Sequence, residues 1–193
     1  PTAQPTASPT AIPTVVPTAA PSAPPTAQPT PAPTVPFAGY DMFLILGGNN
    51  AAGWSSDFGT LPANDSIMAL TSDGGGVTVA QDPLPFPGGS GTVGFGVTVG
   101  IAHAAHLDPG RKVLLVNCAH PFTGFADAVW SVPGTATDTC RGRMQSAFNL
   151  PGLSHQLLAV LWHGGERDVF NGLSGAAYAS ALATLVAHAR ANY

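Results

Sequence analysis

Proline stands at every fourth position from Pro1 to Pro33, making nine consecutive tetrads over residues 1–36. Each of these prolines fixes φ and removes a backbone donor, so helix and interior strand are excluded and polyproline II is the expected conformation. At about 3.1 Å per residue, such a segment would extend on the order of 110 Å. The second position of every tetrad is a hydroxyl residue: Thr2, Thr6, Thr10, Thr14, Thr18, Ser22, Thr26, Thr30 and Thr34. Evenly spaced hydroxyls on an uncharged, proline-rich segment predict an O-glycosylated stalk. A plain stiff linker, or tetrads packing with copies of themselves in an extracellular filament, would also satisfy the pattern.

The folding unit is therefore residues 37–193, about the length of one domain. Only 8% of the chain is charged, against about a quarter in an average soluble protein. Its surface must consist of Ser, Thr, Asn, Gly and backbone, or be covered by glycan. The net charge is −4, and the six cations, Arg111, Lys112, Arg141, Arg143, Arg167 and Arg190, form no stripe. Nucleic acid is thus not expected as a partner. No apolar run approaches the roughly 18 to 20 residues of a membrane span, so membrane insertion is not expected either. Asn64-Asp65-Ser66 is an N-glycosylation sequon, which has meaning in a secreted protein. Stalk and sequon together place the expected location outside the cell or on its surface. Cys118 and Cys140 are the only cysteines. Two buried thiols, or one disulfide in an oxidising compartment, are both compatible with them.

Within the domain, apolar runs alternate with helical stripes. Met42 to Leu46 is apolar on both faces, the pattern of a central parallel strand covered by helices. Ile67 to Leu70 and Val77 to Ala80, separated by a glycine-rich turn, predict a β-hairpin. Val113 to Val116 and Gln156 to Trp162 predict two further buried strands. Helices are expected over Phe95 to His106, Asp138 to Phe148 and Gly175 to Ala191. His103 and His106 lie three apart on the first, but no acidic or thiol partner is near, so they read as surface or helix-end residues and no metal is expected. The order strand, helix, strand, helix, strand, helix predicts an α/β fold, a three-layer sandwich with a mostly parallel, doubly wound sheet of flavodoxin-like type.

In such a sheet the loops after the strands converge. They carry Gly48, Asn49 and Asn50 after the first strand, Thr123 after the second, and His163, Glu166 and Asp168 after the third. The segment from Asp41 through Gly53, Asp-Met-Phe-Leu-Ile-Leu-Gly-Gly-Asn-Asn-Ala-Ala-Gly, resembles the first block of the sialate O-acetylesterase and acetylxylan esterase group of SGNH hydrolases, D-V-F-L-L-A-G-Q-S-N-M-A-G. Leu161 to Asp168, Leu-Trp-His-Gly-Gly-Glu-Arg-Asp, is similar to that group's W-H-Q-G-E-S-D block. The segments Ile67 to Leu70, Ala80 to Leu84, and Val113 to Ala119 ahead of Trp130 are similar in order and spacing.

The resemblance implies deacetylation of sugars by a serine nucleophile, an oxyanion hole and a histidine base, with no cofactor. It also implies that much of this machinery is missing here. Asn49 occupies the serine position, and an amide forms no acyl ester. Gly164 stands where an oxyanion-donating glutamine is expected, and Gly48 replaces the glutamine before the serine. The loop that supplies a backbone donor reads Pro121-Phe122-Thr123, and Pro121 has no amide hydrogen. The family's Asp-x-x-His pair follows a further strand, so the domain at 37–193 is expected to be truncated at its C-terminus. Ser55 and Ser56 lie about 20 Å beyond Asn49 along an extended chain and are not expected to replace the nucleophile. No catalytic set is intact: Asn49, Gly164, His163 and Glu166 are relic positions. The expectation is an inactive esterase-like domain with a structural, self-associating or glycan-contacting role. An active carbohydrate O-acetylesterase is the alternative.

Overall fold

A computed structural model describes residues 35–54, 61–87 and 89–193. The stalk hydroxyls from Thr2 to Thr34, and Ser55 and Ser56, lie outside the described residues.

The first strand, β1 (Gly39–Gly47), is buried along its whole length. A four-residue helix, α1 (Asn49–Ala52), follows it at once. The predicted hairpin forms as β2 (Ile67–Leu70) paired antiparallel with β3 (Val77–Val79). Two short strands, β4 (Pro85–Phe86) and β5 (Gly89–Ser90), pair with each other outside the main sheet. Then come α2 (Gly96–Ala104), β6 (Arg111–Asn117), α3 (Thr135–Phe148), β7 (Gln156–His163), α4 (Glu166–Phe170) and α5 (Gly175–Asn192). The main sheet has the order β3-β2-β6-β1-β7. All its pairings are parallel except β2 with β3.

Side-chain alternation along the central strands builds two separate cores, as the period of two requires. Met42, Leu44 and Leu46 of β1, with Leu114 and Val116 of β6, face Ala136, Cys140, Met144 and Ala147 of α3 and Leu185 of α5. Phe43 and Ile45, with Val113 and Leu115, face Ala51 and Ala52 of α1 and Val97 of α2. Helices therefore cover both faces, and the domain is a three-layer α/β sandwich with a mostly parallel sheet.

One strand departs from expectation. Gln156 to Trp162 reads as a buried strand, yet β7 is a sheet edge whose residues are all exposed or half-buried. It pairs with β1 alone, and its register skips Leu158, which is 42% exposed. An apolar run of six residues, Leu157 to Trp162, has the same composition whether one neighbour or two will pair with it, so periodicity does not separate edge from centre.

Both cysteines are fully buried free thiols, with Cys140 Sγ 3.9 Å from the carbonyl oxygen of Cys118. Cys140 is a core side chain, and its burial pushes the thiol well above its ordinary value. Beside it on α3, the buried Arg143 donates to the carbonyl oxygens of Thr71 at 3.0 Å, Ser72 at 2.7 Å and Leu70 at 3.3 Å. This one side chain ties α3 to the end of β2. Arg143→Ala leaves those carbonyls without their donor and should cost about 1–3 kcal/mol of stability. Chemical denaturation of the variant checks it.

Among the described residues, no helix is long and apolar enough to cross a membrane. The sequon is exposed: Asn64 Oδ1 accepts from the Ser66 N–H at 2.9 Å, forming a local turn that leads into β2.

Candidate functional site

The carboxyl ends of β1, β6 and β7 lie side by side, and backbone bonds lock their loops together. The Gly48 N–H donates to the His163 carbonyl at 2.9 Å, the His120 N–H to the Gly47 carbonyl at 2.9 Å, and the Cys118 N–H to the Ile45 carbonyl at 2.8 Å. The loops after three strands thereby meet at Gly47 and Gly48.

On this floor the structure brings together Asn50, His163 and Glu166. Asn50 Nδ2 donates to Glu166 Oε1 at 2.6 Å, and the same oxygen lies 3.4 Å from His163 Nδ1. Both members of the latter pair are about half open, with side-chain exposures of 49% and 45%. Gly48 lines the same place: a side chain there would approach the Thr123 carbonyl at 3.3 Å and Glu166 Oε2 at 3.7 Å. Asn49 is directed elsewhere. Its Oδ1 accepts from the Phe122 N–H at 2.6 Å, so this side chain spans to the loop after β6.

Two of the sequence-derived cleft residues turn inward. The Thr123 hydroxyl donates to the His120 carbonyl at 2.6 Å and accepts from Trp130 Nε1 at 3.1 Å, leaving its backbone carbonyl toward Gly48. Asp168 is 1% exposed, accepts from the Ala126 N–H at 2.8 Å and lies against Gly124. Its work is to hold the loop over residues 124–126 in place. Beneath both, Trp130 and Trp162 meet edge to face at 5.1 Å, and Phe125 stacks on Trp162 at 5.1 Å. His120 packs edge-on against Trp130, and burial lowers its pKa.

Gly164 is closely packed as well. Its carbonyl accepts from the Tyr178 hydroxyl at 2.8 Å, and a Cβ at this position would sit 2.9 Å from Trp162 Cζ2. A glutamine could enter only if Trp162 moved. Chemically, this cluster offers the Glu166 carboxylate, the Asn50 amide and the His163 imidazole, a set that can hydrogen-bond hydroxyls. Neither Asn49 nor Asn50 supplies a nucleophile. Among the described residues, no group of three or more His, Cys, Asp or Glu side chains is placed to hold a metal ion.

Two exposed aromatic residues were not legible as part of the site. Phe122 has φ of +61° and is 57% exposed, and Trp54 is 50% exposed. Their ring centroids are 4.9 Å apart, with the planes at 75°. In sequence Phe122 is one aromatic in a loop after Pro121, and nothing there signals a left-handed backbone. His103 also has an unforeseen partner, Asp41, at the opposite end of β1.

The same fold occurs in two solved structures. One is a protein from Arabidopsis thaliana, with 23% identity and a TM-score of 0.63 over 79% of this chain and 68% of that one. The other is NanS, with 16% identity and a TM-score of 0.65 over 82% of this chain and 63% of that one. No curated protein matches the chain significantly. The chain thus spans about two thirds of each solved structure. The model of one protein family, described as carbohydrate esterase, sialic acid-specific acetylesterase, matches residues 39–193. With that match covering the whole sandwich and its cleft, the chain belongs to this family of carbohydrate esterases.

Proposed function

We propose that the domain contacts glycan through the cleft at Gly48 to Asn50 without hydrolysing esters, as part of a secreted or cell-surface glycoprotein. The observation that carries this reading is the Asn49 side chain, which the resemblance puts in the nucleophile's place and whose Oδ1 accepts from the Phe122 N–H. Gly164, packed on Trp162 where the family has a donor side chain, supports it. Loss of a single oxyanion donor alone typically costs about 100- to 1000-fold in turnover. The exposed sequon at Asn64 and the stalk hydroxyls fit a glycosylated protein.

The protein should release acetate from an aryl acetate no faster than buffer does. Turnover above background that a serine-directed inhibitor abolishes would replace this reading with that of an active O-acetylesterase.

Self-association is a second reading, favoured by β7. A strand edge with one side unpaired is a template for another strand. Beside it runs a groove of about 390 Å³, lined by Leu157, Val160, Leu182, Val186 and Tyr193 among others. Concentration-dependent mass in light scattering, abolished by Leu158→Lys, is the expected result on that reading.

A further inference from the structure

Asn49, Phe122 and Trp54 form one device. A bulky residue with positive φ is strained and persists where its surroundings hold it. At Phe122 the hold is visible: the 2.6 Å bond from its N–H to Asn49 Oδ1 fixes the peptide at the point of strain. The outcome is a phenyl ring more than half exposed, edge to face with an indole that is half exposed. Hydrophobic residues scattered singly over a surface need no explanation, but a paired aromatic patch bordering a polar cleft does.

The polar border is the second half of the observation. Asn49 joins the aromatic pair to Asn50, which donates to the half-exposed Glu166 carboxylate. The nearest cation in sequence, Arg167, is directed to Asp127 at 3.4 Å and stacks over Phe170 at 5.2 Å. The site therefore presents aromatic surface beside a carboxylate and the Asn50 amide, and among the described residues the only basic group paired to that carboxylate is the half-exposed His163 imidazole, with no guanidinium or ammonium.

We infer that Trp54 and Phe122, with planes at 75°, form an angled aromatic platform on which an uncharged pyranose ring meets one ring face-on and the other edge-on, latched in place by Asn49, with the sugar's hydroxyls turned toward Glu166 and Asn50. The C–H face of a pyranose is apolar and matches exposed aromatic surface, while its hydroxyls donate to the carboxylate. An anionic sugar is disfavoured because its carboxylate would approach Glu166 with no arginine or lysine between them and only the His163 imidazole, 3.4 Å from Glu166 Oε1, beside it. On this inference, the residue in the nucleophile's position has a positive role in shaping the binding surface.

The inference rests on the glycan-contacting part of the proposed function, and its test does not involve hydrolysis. The full chain would be titrated by ligand-observed NMR with xylobiose, cellobiose and α2,8-linked disialic acid. At least one neutral disaccharide should bind saturably and about tenfold or more tighter than disialic acid. Trp54→Ala and Phe122→Gly should each weaken it about tenfold; glycine accepts the positive φ, so the second variant retains the loop. Asn49→Ala should weaken it as well, and Glu166→Gln should narrow the gap to the anionic sugar. Absence of saturable neutral binding, binding unchanged in both aromatic variants, or preference for disialic acid would overturn the inference. Acetate release in the preceding assay would overturn the loss of hydrolysis and leave the platform standing. Neutral binding that ignores Trp54 and Phe122 would do the reverse.

Discussion

Asp41→Ala should lower the unfolding free energy by about 3–5 kcal/mol, the range for breaking a buried ion pair by removing one partner. Asp41 is 5% exposed and stands at the start of β1, the end of the strand opposite the cleft. Its Oδ1 accepts from Arg111 Nε at 2.5 Å and from Gln156 Nε2 at 2.9 Å, and its Oδ2 accepts from His103 Nε2 at 2.7 Å. Four elements meet on one carboxylate: β1, β6, β7 and α2. The alanine variant strands Arg111, which also donates to the Tyr40 carbonyl at 2.9 Å and the Ser154 carbonyl at 3.0 Å. Those bonds keep the guanidinium in place, so its charge remains buried without a counter-charge. Equilibrium unfolding in urea measures the loss; a change below about 1 kcal/mol would show the network to be no better than a surface pair.

The same carboxylate sets a pH dependence. Burial acts to raise its pKa, but the hydrogen bonds from His103, Gln156 and Arg111 and the Arg111 charge outweigh it, and the net direction is downward. A carboxylate whose folded pKa lies below its unfolded value contributes stability that is complete above about pH 4 and is lost as the pH falls through the folded value. The wild type should therefore lose stability below about pH 4 more steeply than Asp41→Asn does.

The layers were legible in the sequence because Met42 to Leu46 and Val113 to Val116 are apolar at every position, which only a strand covered on both faces requires. The convergence of Asn50, His163 and Glu166 followed from their places after parallel strands. What escaped detection has a common cause. The edge position of β7, the inward turn of Thr123 and Asp168, and the Asp41 network all depend on which distant residue arrives opposite. Local pattern carries no record of that. Phe122 escaped for another reason, since its left-handed backbone is imposed by a side chain 73 positions away.

Gly47→Ala is expected to damage both the fold and the cleft. Gly47 has φ of +130°, a conformation that L side chains rarely adopt, and its missing Cβ would lie 1.8 Å from the His163 carbonyl oxygen. That oxygen already accepts the Gly48 N–H at 2.9 Å, so the obstacle is backbone that cannot swing aside as a side chain would. Strained φ costs about 1–3 kcal/mol, and overpacking about 1–3 kcal/mol more. The variant should therefore lose roughly 2–6 kcal/mol. If the chain remains folded, the relief available is for the ends of β1 and β7 to part. Glu166, which follows β7, would then separate from Asn50, which follows β1. The signature is a joint one: lower unfolding free energy together with weaker neutral-disaccharide binding, although residue 47 itself contributes no polar side chain to a ligand. Gly75→Ala is the control, since Gly75 lies in the β2–β3 turn, on the far side of the sheet from β7. It should leave binding unchanged. Loss of stability in Gly47→Ala with undiminished binding would mean that the cleft does not depend on the β1–β7 junction.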